Sequence, residues 1–235
     1  MIDLEYPDRL IPARFVKREN RFSATVIVDG RKQYVHVPNS GRLGELLIPN
    51  REVFLSQAPP GNKARKTSYT LVLSRFGSGY VSLEAAKANR LFEEALNDGI
   101  ITEFARWRIA GREKRLGMSR IDFVLEDPGE KRVFTEIKSV SLVTDGVARF
   151  PDAPTSRGCR HLRELIDHCR KGEQGAVVFI VQRSDAVSFS PNEEEDPAFA
   201  RLLREAFEEG IKILAYRCRI DTLVNQVTDP VPVIL

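Results

Sequence analysis

Sulfur and indole are scarce in this chain, which has three cysteines, two methionines and one tryptophan among 235 residues, with only three histidines beside them. Cys159, Cys169 and Cys218 form no CxxC pair and are odd in number. That argues against a disulfide framework and fits a reducing cytoplasm, where the thiols serve as small core residues. No spacing among the His and Cys residues suits zinc. No apolar run approaches the ~20 residues of a bilayer span. The start, Met1-Ile2-Asp3-Leu4-Glu5, carries acids where a secretory leader would be basic and then apolar. Neither a membrane protein nor a secreted one is expected. GxGxxG and P-loop motifs are missing, so no nucleotide cofactor is expected. There is no helix-turn-helix, and Trp107 has no aromatic platform around it to bind a sugar.

What is present begins with charge. The net value is only +3, but it is unevenly spread. Residues 1–82 hold 13 Lys/Arg against 7 Asp/Glu, and the rest hold 23 against 26. A basic front suits a module that grips a polyanion, and a carboxylate-rich back suits a catalytic domain. Two ordinary solvated surfaces would also give this contrast.

The hydrophobic pattern divides at the same place. Arg21-Phe22-Ser23-Ala24-Thr25-Val26-Ile27-Val28 runs into Asp29-Gly30, a two-residue hairpin signal, and the alternation resumes in Lys32-Gln33-Tyr34-Val35-His36-Val37. Further strands are predicted over 52–56 and 69–73. Short strands with Gly, Pro and Asn turns predict a small antiparallel barrel of OB type over residues 1–82. From residue 83 the period changes. A helix is predicted over 88–97, extended segments over 107–115, 120–126 and 132–139, and helices from Thr155 to a stop at Gly172 and from Asp196-Pro197 to Gly210. The apolar run 175–182 reads as a strand covered on both faces, and 211–216 as another. Residues 83–235 are thus expected to form a mixed sheet flanked by helices, giving an α+β, mixed α/β chain overall.

Asp122 interrupts the apolar segment Ile121 to Leu125, and Glu136-Ile137-Lys138 follows Val133-Phe134. Side chains alternate along a strand, so Glu136 and Lys138 share a face. If the Asp127-Pro128-Gly129 turn pairs the two segments, Asp122 can join them. Two carboxylates suit Mg²⁺ or Mn²⁺, and the ammonium suits a water or a developing negative charge. A surface ion pair is the ordinary alternative, but charges inside apolar strands are costly unless paired or metal-bound.

The Asp122…Glu136-x-Lys138 pattern resembles that of PD-(D/E)xK nucleases. The wider text resembles the sugar fermentation stimulation protein A (SfsA) family. The matching stretches are His36-Val37-Pro38-Asn39-Ser40-Gly41-Arg42-Leu43, Ala88-Asn89-Arg90-Leu91, Ser119-Arg120-Ile121-Asp122-Phe123, Glu136-Ile137-Lys138-Ser139-Val140, Phe150-Pro151-Asp152-Ala153-Pro154-Thr155-Ser156-Arg157-Gly158, His161-Leu162-Arg163-Glu164-Leu165 and Val181-Gln182-Arg183. The resemblance implies an OB-like domain before a PD-(D/E)xK domain, DNA binding, and a regulatory part in sugar (maltose) metabolism. It implies metal contacts for Asp122 and Glu136 and a water contact for Lys138. Glu94 would be the helix-borne acid of that superfamily, or else a solvated carboxylate. Glu84-Ala85 stands where the family tends to show Asn-Thr.

Glu113, Asp152 and Gln182 are accessory candidates for metal, water or phosphate contacts; Asp152 could equally cap the turn into the helix after it, and Gln182 could be a polar cap at a strand end. Arg157 and His161, near a helix start, are candidates for bracing a phosphate. Arg42, Lys63, Arg65 and Lys66 are candidates for backbone contacts without sequence choice. Tyr69 and Phe54 either stack bases or fill the barrel, and His36 reads as structural. Two functions remain open. One is a Mg²⁺- or Mn²⁺-dependent nuclease acting on DNA, with RNA as a second polymer. The other is a non-catalytic DNA-binding regulator.

Overall fold

The computed structural model describes residues 4–6, 9–58 and 67–235. Strand β1 (Leu4–Glu5) precedes β2 (Ile11–Asn20), β3 (Ser23–Val28), β4 (Arg31–His36), β5 (Glu52–Gln57), β6 (Tyr69–Phe76) and β7 (Gly79–Ser82). Strands β2 to β6 pair in the order β4-β3-β2-β5-β6, and a bridge between His36 and Thr70 returns β6 to β4. This closes the five-stranded barrel that the alternation predicts. The β3–β4 turn is Asp29-Gly30, both at positive φ (47° and 75°), the backbone that a two-residue hairpin needs. Ala24, Val26 and Val28 of β3 face inward with Phe15, Val35, Leu55 and Leu71.

The second half contributes α1 (Lys87–Asn97), β8 (Arg108–Leu116), β9 (Ser119–Glu126), β10 (Arg132–Val140), β11 (Leu142–Thr144), β12 (Val147–Phe150), α2 (Ser156–Cys169), β13 (Gln174–Val181), β14 (Ser188–Pro191), α3 (Pro197–Glu208), β15 (Lys212–Ile220) and β16 (Val224–Pro230). Its main sheet has seven strands in the order β1-β16-β15-β13-β10-β9-β8, with β10, β13 and β15 parallel at its centre. The chain's first strand therefore closes the edge of the second domain's sheet, beside β16. A smaller sheet, β11-β12-β14, stands apart from it.

The central strand β13 shows why the apolar run reads as it does. Ala176, Val178 and Ile180 enter one core with Leu91 and Phe92 of α1 and with Phe54, Val72 and Leu73 of the barrel. Val177, Phe179 and Val181 enter the other, beneath α2 and α3. The first core is thus shared between barrel and sheet, so the two halves pack as one body. Helix α2 starts at Thr155, whose side chain accepts from Gly158 N at 3.1 Å. Helix α3 starts at Asp196, which accepts from Phe199 N at 3.0 Å and, through its other oxygen, from Thr155 N at 2.8 Å. One buried carboxylate thereby fixes both helix starts. No helix among the described residues is long and apolar enough to cross a membrane.

Candidate active site

The antiparallel ladder between β9 and β10 ends at the pair Phe123–Thr135. One residue further, Asp122 fills the opening. Its Oδ2 accepts from Ile137 N at 2.8 Å, and Oδ1 accepts from the Asn89 amide of α1 at 2.8 Å. The aspartate replaces a ladder bond, which is how so polar a residue is held within an apolar strand.

Glu136 and Lys138 project from the same face of β10 into one cleft with Asp122. Glu136 is 3% exposed, and its Oε1 accepts from Lys138 Nζ at 2.6 Å. His161 of α2 reaches the same oxygen through Nδ1. A carboxylate can only accept, so that nitrogen carries the proton, and His161 Nε2 accepts from Arg157 Nε at 3.3 Å. The other oxygen, Glu136 Oε2, is buried without a hydrogen-bond partner among the described residues. An unpartnered buried carboxylate oxygen is expensive. Its place beside Asp122 fits a bound cation.

The electrostatics of the pair diverge. Burial pushes the Asp122 carboxyl up, and the neighbouring Glu136 pushes it further, with only partial relief from the Ile137 N–H, Asn89 and Lys138. Burial pushes Glu136 up as well, but Lys138 and His161 outweigh it and hold that carboxyl below its usual range. Two adjacent carboxylates resist ionising together unless positive charge joins them.

The cleft has a volume of about 360 Å³ and lies between the two domains. Arg21, Asn39, Ser40 and Gly41 of the barrel form one side, and residues 149–155 the other. Four cationic side chains (Arg21, Lys138, Arg149, Arg157) and three carboxylates (Asp122, Glu136, Asp152) line it. Asp152 is half-buried, and the loss of solvent raises its carboxyl above the ordinary range against the pull of Leu43 N–H and Arg18. Its Oδ2 accepts from Leu43 N at 3.2 Å. It presses so closely on Gly41 that an added Cβ would lie 2.3 Å from Oδ1. Asp152 therefore anchors the barrel's 39–42 loop, while the cap of α2 is Thr155.

Several expectations are corrected here. Glu94 does not enter the cleft; it pairs with Arg90 at 3.1 Å and borders a separate hollow near Gln226. Five helical residues separate it from Asn89, a turn of roughly 140°, and Asn89 is the α1 residue that meets Asp122. Glu113 is exposed at positive φ (50°) on β8 and lines no part of the cleft. His161 is buried and committed to Glu136 and Arg157, so it braces the site and not a phosphate. Gln182 is fully buried; its amide donates to Ser139 Oγ and to the carbonyl of Glu84, and its Oε1 accepts from Asn225. It clamps strand ends and leaves no group for water or phosphate. Arg42 pairs across the domains with Glu195 at 2.5 Å. Lys63, Arg65 and Lys66 lie outside the described residues. Phe54 is buried against Tyr80, and Tyr69 packs on the barrel core, so neither is a free stacking surface. At the departure from the family text, Ala85 borders the cleft and Glu84 pairs with Lys87 at 3.2 Å.

Sequence reading missed Asn89, although it lies in one of the family-like stretches, and it missed Arg18. The Arg18 guanidinium donates to the carbonyls of Gly41, Arg42, Arg21 and Asn39 at 2.5–2.9 Å, and so organises the barrel's side of the cleft. Only barrel closure brings those carbonyls together.

The same architecture occurs in known proteins. Residues 86–223 match the family model described as sugar fermentation stimulation protein RE domain, and residues 16–83 match SfsA N-terminal OB domain. A sugar fermentation stimulation protein homolog of Moorella thermoacetica is 44% identical over 98% of this chain and 99% of its own length. A homolog from Caldanaerobacter subterraneus subsp. tengcongensis is 41% identical, covering 96% of this chain and 97% of that one. Among solved structures, SfsA of Pyrococcus furiosus, in complex with Ca²⁺, superimposes with a TM-score of 0.91 at 30% identity, covering all of both chains.

Proposed function

The chain belongs to the sugar fermentation stimulation protein family, and from that footing we propose that it is a divalent-metal-dependent phosphodiesterase acting on nucleic acid. The observation that carries this reading is the buried, unpartnered Oε2 of Glu136, a residue that lines one cleft with Asp122 and Lys138. Among the described residues no group of three or more His, Cys, Asp or Glu side chains is placed to hold a metal ion, so a bound ion would rest on the two carboxylates, water and substrate. Two carboxylates suit Mg²⁺, which keeps several waters and takes substrate phosphate oxygens as further ligands. The Ca²⁺ complex of the Pyrococcus furiosus relative supports an oxygen-liganded divalent ion.

Asp122 and Glu136 would hold the ion, Glu136 through Oε2 and Asp122 through lone pairs left free by Ile137 N and Asn89. A bound Mg²⁺ or Mn²⁺ would polarise the phosphoryl group and acidify water. Lys138 spends one of its three donors on Glu136 and has two for an attacking water or a phosphoryl oxygen. His161 keeps Glu136 Oε1 engaged, so that Oε2 is the oxygen left for the cation. Arg21, Arg149 and Arg157 supply positive charge for the phosphates on either side of the scissile bond.

Incubation of labelled single- and double-stranded DNA and RNA with Mg²⁺ or Mn²⁺ tests this. Cleavage is expected, and it should be lost in Asp122→Ala and Lys138→Ala while binding survives. Binding without cleavage of any substrate by either metal would favour the non-catalytic regulator.

A further inference from the structure

The cleft is bridged. Its barrel wall reaches the opposite wall at Gly41 against Asp152 and again through the Arg42–Glu195 pair. The floor carboxylates are therefore reached through a slot, and about 360 Å³ lies at the small end of the roughly 300–1,000 Å³ pockets that enclose a small ligand. Such a volume suits one nucleotide unit, and the two bridging contacts narrow the way in for anything bulkier.

A path leads out of the slot over the barrel. Phe22 and Tyr34 are 51% and 49% exposed, unusual for rings of this size on an otherwise well-buried barrel. Tyr34 Oη donates to Ser23 Oγ at 2.5 Å, which holds the ring beside the residue next to Phe22. The Phe22 carbonyl accepts from Val37 N at 2.9 Å, so the turn beneath that ring is fixed. Arg21, the next residue back, lines the slot itself, its carbonyl held by Arg18. Lys32, two residues before Tyr34 and exposed, shares the outer face of β4. Two open rings with cations on either side form the stacking-plus-charge surface that tracks a single strand.

Resting on the phosphodiesterase reading, we infer that the substrate is single-stranded nucleic acid, laid across Tyr34 and Phe22 and passed by Arg21 to the metal site, with the 39–42 loop excluding intact duplex. The test is fluorescence anisotropy of the full chain with labelled oligothymidine, and with its duplex with oligodeoxyadenosine, in Ca²⁺. Single strand should bind at least about tenfold more tightly than duplex. Phe22→Ala and Tyr34→Ala should each weaken single-strand binding by about tenfold, within the range contributed by one base–aromatic stack. Tyr34→Phe, which keeps the ring, should retain affinity. Mn²⁺ affinity by calorimetry should be unchanged in all three. Equal binding of duplex, or both alanine variants holding oligothymidine as the parent does, would overturn the inference. A lack of hydrolysis with Mg²⁺ or Mn²⁺ would defeat the catalytic reading while the binding comparison still decides this one. Equally fast cutting of closed circular duplex and circular single strand would defeat this one alone.

Discussion

Two buried charges, Arg183 just after β13 and Glu136 in the middle of β10, are treated in opposite ways. Arg183 is 1% exposed and held from several sides. It forms two bonds to Asp185 at 2.6 and 2.7 Å and donates to Ser141 O at 2.8 Å. It also faces Glu45 of the barrel at 3.5 Å and stacks 4.5 Å above the Phe76 ring. Glu136 is as deeply buried, yet one oxygen is crowded and the other is bare. A satisfied buried charge ties two domains together. Glu136 shares a cleft with Asp122 and Lys138, and there its unpartnered oxygen costs stability unless a cation binds.

The sharpest way to break this contrast is to neutralise Glu136. Glu136→Gln is expected to lower cleavage by about 10³-fold, the upper end of what one preorganised electrostatic group supplies, and, because the amide oxygen can still accept from Lys138 and His161, to cost less stability than Arg183→Ala. A variant that melts earlier than Arg183→Ala and still cuts would reverse the assignment. Arg183→Ala should do the opposite. Truncating this enclosed side chain removes its packing on Phe76 and its bonds to Ser141 and Asp185 at a cost of about 2–3 kcal/mol, readable as a shifted denaturant midpoint, and a loss under about 1 kcal/mol would deny Arg183 its role in the seam.

Asp196 sharpens the comparison from the satisfied side. Asp196→Ala removes the cap of α3 and the acceptor for Thr155 N together, so a cost of about 2 kcal/mol is expected in chemical denaturation, the top of the range for one cap. The smallest effect concerns pH. In the metal-free protein Asp152 sits above the ordinary carboxylate range, because burial disfavours its charge. The folded chain then keeps a proton that the unfolded chain has released, and this residue's contribution to stability falls as pH rises through that interval. The melting temperature of Asp152→Asn minus that of the parent should therefore grow from mild acid to neutrality. A difference that shrinks would mean that the 39–42 loop needs the ionised form.

The sequence made the local periods legible and left the assembly obscure. Asp29-Gly30, the Asp196 cap, the helix start at Thr155 and the doubly buried β13 are each specified by a few adjacent residues, and each is found in place. Asp122, Glu136 and Lys138 were readable because charge inside an apolar strand conflicts with its surroundings. The pairings of β1 with β16 and of β12 with β14 depend on contacts across long stretches of chain, which leave no periodic trace, whereas the β11–β12 hairpin over Asp145-Gly146 had a local signal that went unread. Glu94 illustrates the limit of residue type as a guide. A carboxylate on the expected helix faces the wrong way, and a neutral amide, Asn89, stands at the site. Arg18 and Asp152, which hold the wall of the cleft, become meaningful only when barrel and sheet are brought together.

The most direct measurement is anomalous scattering from crystals soaked in Mn²⁺. A peak is expected in the cleft within ligand distance of Glu136 Oε2 and an Asp122 carboxylate oxygen. A cleft without manganese, with Glu136 Oε2 still bare while the ion binds elsewhere, would contradict the account.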